Sequence, residues 1–274
     1  MRSGCDDMKK QIGFIGCGKM AQAMIGGIIN SGLVSPTQIF ASARSEETIQ
    51  LIKDKYAIQT ASSLHIASTV DYLFLAVKPN IYPIVINEIK DSIKENTVIV
   101  TIAAGVTLKG IEDSFGKEVK VVRTMPNTPS LVGEGMSALC SNEFVTAEEL
   151  EEVKEIFSSF GKAEVIDEQL MDAVPAISGS SPAYVYMFIE ALADGAVLQG
   201  ISREKAYQLA AQSVLGAAKM VLETGMHPGE LKDQVCTPGG ATIEAVAELE
   251  KNNFRSAVLS AMERCTAKSK ALAK

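Results

Sequence analysis

Three residues near the start of the chain, Gly16, Gly18 and Ala21, have the spacing of a dinucleotide-binding turn. The apolar run Ile12–Ile15 before them predicts a buried strand, and the pattern over residues 20–30 predicts a helix. In that order, Gly16 allows a tight turn, Gly18 leaves room for a pyrophosphate, and Ala21 keeps the helix close to the strand. The first turn of the helix offers free N–H groups to the phosphates. A glycine turn alone is common, but this arrangement predicts a dinucleotide cofactor.

The end of the second predicted strand, residues 38–43, indicates which dinucleotide binds. A strand that binds NAD ends in Asp or Glu, which accepts a hydrogen bond from the ribose 2′-hydroxyl. This chain has Ser42, Arg44 and Ser45 instead, and an arginine flanked by hydroxyls favours a 2′-phosphate. We therefore predict NADPH as the preferred cofactor and NADH as the weaker one. Ser45 could also cap the helix that follows, and the two roles are compatible.

The turns after the next three long predicted strands contain small residues or prolines. They are residues 76–79, 103–105 and 125–129. Open α/β sheets bind their ligands at the carboxyl ends of strands, where these turns lie. Each could be an ordinary turn, but the three together predict one crevice at one edge of the sheet.

A second candidate binding loop lies more than two hundred residues after the first. It contains Thr237, Pro238, Gly239, Gly240, Ala241 and Thr242, and it opens a helix predicted over residues 243–250. Residues 178–183 open the first long helix in a similar way. Hydroxyls, glycines and backbone N–H groups at a helix N-terminus predict a site for a carboxylate. Helix capping is the simpler alternative, and it accounts for one serine or threonine but not for the double glycine.

The elements that position these loops change character near residue 167. Strands and helices alternate up to that point, whereas only helical periodicity follows, over residues 182–198, 202–222 and 254–271. The predicted fold is α/β, with an N-terminal Rossmann-type doubly wound sheet over residues 1–167 and an all-α C-terminal domain over residues 168–274. The wide apolar faces of these helices need a partner, so we predict a homodimer through this domain.

Composition excludes several classes of protein. The chain has 274 residues and a net charge of −7, which argues against a nucleic-acid or acidic-membrane surface. It has no apolar run long enough to span a bilayer and no signal core, and we expect Met1–Asp7 to be a disordered extension. Five scattered cysteines indicate reduced thiols in the cytoplasm. The only histidines, His65 and His227, lie far apart, so we predict neither a metal site nor a histidine-based triad.

Residues 237–245, together with 227–233, resemble the signature region of the pyrroline-5-carboxylate reductases. Five other stretches are similar to motifs of that family and occur in the same order, namely residues 12–20, 76–79, 103–107, 125–129 and 178–184. The resemblance therefore covers about residues 10–270. One departure is the pair Ser62 and Ser63, where the family often has an asparagine that contacts the cofactor.

The resemblance implies NAD(P)H-dependent reduction of 1-pyrroline-5-carboxylate to L-proline, the last step of proline biosynthesis. It also implies a helical dimerisation domain, an active site shared by two subunits and, in many members, a decamer. By motif it assigns the cofactor to Ile15, Gly16, Cys17, Gly18, Lys19, Met20, Ala76, Val77, Lys78, Pro79, Ala103, Ala104 and Gly105. By motif it assigns the substrate to the loop that contains Val235, Thr237, Gly240, Ala241 and Thr242.

The chemistry of this substrate agrees with what the loop offers. A protonated cyclic imine is already electrophilic, so hydride transfer mainly requires correct placement of the two reactants. We expect the backbone N–H groups of Ala241 and Thr242 to bind the carboxylate. We expect the Thr242 hydroxyl to hydrogen-bond the ring nitrogen and to supply or relay the proton, which makes Thr242 the candidate catalytic residue.

Two other functions are compatible with a Rossmann domain joined to helices. A β-hydroxyacid dehydrogenase uses a lysine on the first long helix of its second domain, and residues 182–199 contain no lysine. A non-catalytic NADPH sensor would not need the loop at residues 237–242. Oxidation of NADPH by the imine, compared with reduction of NADP by 3-hydroxy acids, separates the three.

Overall fold

The computed structural model describes residues 8–272, so the expected extension Met1–Asp7 lies outside the described residues. The described chain forms two compact units. The first contains residues 8–179 and 265–272, and the second contains Ser180–Arg264.

The first unit is built on one sheet of eight strands with the order β3-β2-β1-β4-β5-β6-β7-β8. The strands are β1 (Ile12–Ile15), β2 (Ile39–Ser42), β3 (Gln59–Thr60), β4 (Tyr72–Leu75), β5 (Val98–Thr101), β6 (Lys120–Met125), β7 (Gly135–Ser141) and β8 (Gly161–Val165). The first six are parallel, β7 is antiparallel to β6, and β8 is parallel to β7. This order confirms the predicted doubly wound sheet, with its switch point between β1 and β4.

Helices follow most strands of this sheet. They are α1 (Lys19–Ser31), α2 (Glu46–Tyr56), α3 (Ser63–Thr69), α4 (Tyr82–Ile89), α5 (Leu108–Phe115) and α6 (Ala147–Ser158). A capping box begins α6, because Thr146 Oγ1 accepts from the Glu149 amide at 3.2 Å and the Glu149 carboxylate accepts from the Thr146 amide at 2.9 Å.

The central strands lie in a core that covers both faces of the sheet. Every residue of β1, β4 and β5 is buried, as expected for continuous apolar runs in a parallel sheet. The Phe14 and Phe74 rings stack with their centroids 4.7 Å apart. A rigid core under the middle of the sheet fixes the positions of the strand ends that carry the predicted cofactor turns.

The second unit is helical throughout its described residues. Its helices are α7 (Ser181–Leu198), α8 (Arg203–Thr224), α9 (Pro228–Val235), α10 (Ala241–Lys251) and the first part of α11 (Phe254–Leu272). Small side chains are buried where α7 and α8 pack together, namely Ala193, Ala206 and Ala210. Large apolar side chains of the same helices are exposed in the single chain, among them Met187, Leu209 and Leu222. None of the helices within residues 8–272 combines the length and the hydropathy that a membrane span requires.

Sequence alone did not locate two helix starts in this unit. His227 is the N-cap residue of α9, which begins at Pro228. The Nδ1 atom of His227 accepts a hydrogen bond from the Gly229 amide at 3.0 Å, and Pro228 occupies the first helical position. Helix α10 begins at Ala241, two residues before the predicted start at Ile243.

Candidate functional site

The fingerprint turn lies between the carboxyl ends of β2 and β4. Gly16 has φ +90° and its amide donates to the Ser42 carbonyl at 3.1 Å. A Cβ atom on Gly16 would lie 2.7 Å from the Ala76 carbonyl oxygen. Any side chain here would therefore be strained and would collide with the backbone of the neighbouring turn, which explains why the position needs glycine.

The N-terminus of α1 is open at its first turn. Gly18 is the N-cap residue, no side chain caps the helix, and the first turn contains no acidic residue. Apart from Gly18 itself and the adjoining backbone, no atom lies within 4 Å of where a Cβ on Gly18 would be. Uncapped N–H groups next to empty space fit the pyrophosphate of a dinucleotide.

Two residues assigned to the cofactor in this region have buried side chains, Ile15 and Cys17. Burial raises the pKa of the Cys17 thiol to about 11. The thiol is therefore neutral at physiological pH and packs as a core side chain. Ile15 and Cys17 can contact a cofactor only through their backbone atoms, whereas Lys19 is exposed and Met20 is partly exposed.

The residues assigned to the 2′-phosphate follow the end of β2. Arg44 is exposed and forms no ion pair with any residue from 8 to 272. Ser42 is partly exposed, and its Oγ lies 3.5 Å from Ser63 Oγ. Ser45 caps α2, with its Oγ 3.3 Å from the Thr48 amide. The capping role of Ser45 is thus observed, while its contact with a phosphate stays a prediction.

The other cofactor turns lie at the same edge of the sheet. Residues 76–79 follow β4, where the Ala76 amide donates to the Ile15 carbonyl at 2.8 Å. Residues 103–105 follow β5, and the side chain of Ala103 is buried while Ala104 is exposed. Both strands run parallel to β1, so the structure brings the predicted turns together around the switch point.

Two polar networks beside this edge were not foreseen in the sequence. Asn127, after β6, is buried; its Oδ1 accepts from the Met136 amide at 2.8 Å and its Nδ2 donates to the Ser178 carbonyl at 2.9 Å. The side chain therefore joins the 125–129 loop to β7 and to the segment before α7. The partners are 9 and 51 residues away, so no local motif could reveal them.

The second network centres on a buried arginine in β6. Arg123 is 5% exposed and lies 2.7 Å from a carboxylate oxygen of Asp172 and 3.5 Å from one of Glu168. The same Glu168 oxygen accepts from the Leu108 amide at 2.8 Å. An arginine beside the apolar residues Val121 and Val122 was the available signal that this position has ionic partners.

The predicted substrate loop forms a compact turn in the second unit. The Gly240 amide donates to the Thr237 carbonyl at 3.0 Å, and Gly239 has φ +67°. A Cβ on Gly240 would lie 2.3 Å from Thr237 Oγ1. Both glycines therefore have local structural reasons, and the double glycine is not by itself an argument for a ligand.

The start of α10 is a stronger argument for an anion site. Gly240 is the N-cap residue, and no side chain makes a capping hydrogen bond there. Ala241 and Thr242 are the first two helical residues, so their N–H groups have no partner within the helix. The capping alternative does not hold for this helix, and an external acceptor such as a carboxylate fits these donors.

Val235 ends α9 two residues before this turn, and its side chain is 65% exposed. It lines an apolar cavity of about 400 Å³ whose wall also includes Met220, Val221 and Leu231. Thr242 is partly exposed at the start of α10. The residues assigned to the substrate thus lie in one short stretch of the second unit, and those assigned to the cofactor lie along one sheet edge of the first. Among residues 8–272, no three His, Cys, Asp or Glu side chains have an arrangement that could hold a metal ion.

Protein-family models match both parts of the chain. Residues 168–272 match the model described as pyrroline-5-carboxylate reductase dimerisation. Residues 11–105 match the model described as NADP oxidoreductase coenzyme F420-dependent.

Solved structures and curated proteins match the chain over nearly its whole length. The structure of a pyrroline-5-carboxylate reductase from Coxiella burnetii has a TM-score of 0.93 and 35% identity, and covers 97% of this chain and 100% of that one. That of a Plasmodium falciparum pyrroline carboxylate reductase with NADP bound has a TM-score of 0.85 and 36% identity, with coverage of 97% and 99%. The pyrroline-5-carboxylate reductase of Escherichia coli K12 is 51% identical over 268 residues, 97% of this chain and 100% of that protein. The chain therefore belongs to the pyrroline-5-carboxylate reductase family.

Proposed function

We infer that this chain catalyses the NADPH-dependent reduction of the C=N bond of 1-pyrroline-5-carboxylate to L-proline, the last step of proline biosynthesis. NADH is the weaker cofactor. The observation that carries the proposal is the uncapped start of α10, which offers free N–H groups to a carboxylate. The other unit has a second uncapped helix start, that of α1, next to the turns assigned to the cofactor. The family relatives, one of which has NADP bound, support the same reaction.

The residues assigned to the two sites have two roles in this proposal. Most of them hold the cofactor or the substrate, and one supplies or relays a proton. When bound, NADPH supplies the hydride. The first N–H groups of α1 hold its pyrophosphate, and Arg44 with Ser42 and Ser45 holds the 2′-phosphate.

In the second unit, the N–H groups of Ala241 and Thr242 bind the substrate carboxylate and so orient the ring. The Thr242 hydroxyl hydrogen-bonds the ring nitrogen and supplies or relays its proton. Val235, Thr237 and Gly240 shape the pocket around the ring. Since the protonated imine is already electrophilic, orientation is the main contribution that the protein makes.

The proposal includes a homodimer formed through the C-terminal helices; assembly of dimers into a decamer is implied only by the resemblance to the family. The exposed apolar side chains of α7 and α8 support the dimer, as does the match to a dimerisation model. That match begins at residue 168, which supports a boundary between a cofactor domain at 1–167 and a dimerisation domain at 168–274. The scatter of five cysteines supports a reducing compartment such as the cytoplasm.

A spectrophotometric assay tests the reaction. Addition of 1-pyrroline-5-carboxylate to enzyme and NADPH is expected to lower the absorbance of NADPH at 340 nm and to form L-proline in equal amount. Reduction of NADP by a 3-hydroxy acid, without any activity on the imine, would instead support a β-hydroxyacid dehydrogenase. NADPH binding with neither reaction would support a sensor.

A further inference from the structure

The carboxyl ends of β4 and β5 are joined by a chain of hydrogen bonds that passes through one tyrosine. Tyr82, the first residue of α4, is 3% exposed. Its hydroxyl donates to the Leu75 carbonyl at 2.6 Å and lies 2.8 Å from Thr101 Oγ1. Leu75 and Thr101 are the last residues of their strands and are paired in register.

The direction of each bond follows from the number of protons available. The single Tyr82 proton is donated to the Leu75 carbonyl, so the Thr101 hydroxyl must donate to Tyr82 Oη. Thr101 Oγ1 in turn accepts from the Ala103 amide at 3.4 Å. The chain therefore runs from the Ala103 amide through Thr101 and Tyr82 to the Leu75 carbonyl.

Both ends of this chain adjoin turns assigned to the cofactor. Leu75 immediately precedes the turn at residues 76–79, and Ala103 begins the turn at residues 103–105. Thr124 Oγ1 extends the connection, because it donates to the Thr101 carbonyl at 2.8 Å from the end of β6. These side chains tie three successive strand ends together directly below the turns.

Burial makes these bonds persistent. It raises the pKa of Tyr82 to about 12, although the Thr101 hydroxyl and the Ile102 and Ala103 amides act in the opposite direction. The hydroxyl is therefore protonated at physiological pH and remains a donor to Leu75. Since water does not reach the site, a missing hydroxyl would leave the Leu75 carbonyl and the Thr101 hydroxyl without replacement partners.

We propose that Tyr82 is a positioning residue for hydride transfer, which acts with Thr101 to hold the 76–79 and 103–105 turns at the spacing that the cofactor requires. The proposal rests on the proposed function, in which these turns bind NADPH. Tyr82 touches neither reactant in this account and acts only through the two turns.

Tyr82→Phe removes the hydroxyl and keeps the ring, and Tyr72→Phe is the matched control. Tyr72 is also a fully buried tyrosine, and its hydroxyl donates to Glu152, but it lies at the opposite end of β4 from the cofactor turns. In the protein without cofactor, hydrogen exchange over residues 101–107 is expected to become faster in Tyr82→Phe only. The dissociation constant of NADPH is expected to rise about tenfold and kcat to fall about tenfold, with the KM of the imine unchanged within about twofold.

Thr101→Val gives an independent test, which remains available if Tyr82→Phe does not fold. It is expected to reproduce the same effects, and the double variant is expected to be little worse than either single one. Exchange and NADPH binding in Tyr82→Phe or Thr101→Val that match those of Tyr72→Phe would overturn the proposal. A wild-type enzyme that binds NADPH but does not reduce the imine would overturn the proposed function instead. The hydrogen-exchange and NADPH-binding measurements would still test the role of Tyr82 in that case.

Discussion

Replacement of Arg44 by alanine tests the cofactor assignment with little disturbance of the fold. The side chain is exposed and forms no ion pair with the described residues, so its removal breaks no observed contact. We expect the free energy of unfolding to change by less than about 0.5 kcal/mol. Any loss of activity can then be ascribed to weaker binding of the cofactor and not to a less stable fold.

The size of the effect follows from the exposure of Arg44. A hydrogen bond to a charged group contributes about 1.5–3 kcal/mol, and solvent screening at an exposed site favours the lower end. This corresponds to a rise of about tenfold in the KM of NADPH. The KM of NADH should stay within about twofold, because a 2′-hydroxyl carries no charge for Arg44 to bind.

Steady-state kinetics with both cofactors, at low and high KCl, provide the measurement. Arg44→Lys keeps the charge and should lose less NADPH affinity than Arg44→Ala. Lys53→Ala removes a cation from the last turn of α2 and should change neither KM. Added salt should weaken NADPH binding more in the wild type than in Arg44→Ala. Equal losses for NADPH and NADH would refute the assignment of Arg44 to the 2′-phosphate.

Three further predictions concern the loop at Thr242, the turn at Gly16 and Gly18, and the start of α9. Thr242→Ala should lower kcat by one to three orders of magnitude, whereas Thr242→Ser should retain most of it; unchanged turnover in the alanine variant would remove Thr242 from the mechanism. Gly18→Ala should leave the melting temperature unchanged and weaken NADPH binding at least about tenfold, because the added methyl group occupies the space of the pyrophosphate. Gly16→Ala should weaken NADPH binding and lower the melting temperature as well. Normal NADPH affinity in Gly18→Ala would contradict the pyrophosphate site. His227→Ala should cost about 1 kcal/mol in denaturant unfolding and His227→Asn much less, and equal losses would show that the cap on α9 does not stabilise it.

The strands and turns of the sheet edge assigned to the cofactor could mostly be predicted from local sequence. The run Ile12–Ile15 is apolar because β1 is buried on both faces, and Gly16 and Gly18 follow it at positions that have separate physical reasons. Periodicity also located α7 and α8 closely. These features depend on residues adjacent in the chain, so a pattern of a few residues contains the information.

The features that were missed depend on partners that are distant in sequence or unusual in type. Histidine is an uncommon helix cap, so the sequence did not indicate that α9 begins at Pro228. Asn127 bonds to residues that only the folded sheet brings near. The hydrogen-bond partners of Tyr82 are 7 and 19 residues away, so no local pattern reveals them. In the loop assigned to the substrate, sequence analysis noticed the double glycine but not the close packing against Thr237, which gives Gly240 a local structural reason.

The most direct test of the account follows the hydride itself. NADPH carrying deuterium on one face of nicotinamide C4 is supplied with 1-pyrroline-5-carboxylate, and the proline formed is examined by mass spectrometry and NMR. The account predicts L-proline with one deuterium at C5, the former imine carbon, from one of the two labelled cofactors and unlabelled proline from the other. Unlabelled proline from both cofactors, or no proline at all, would contradict direct hydride transfer to the imine.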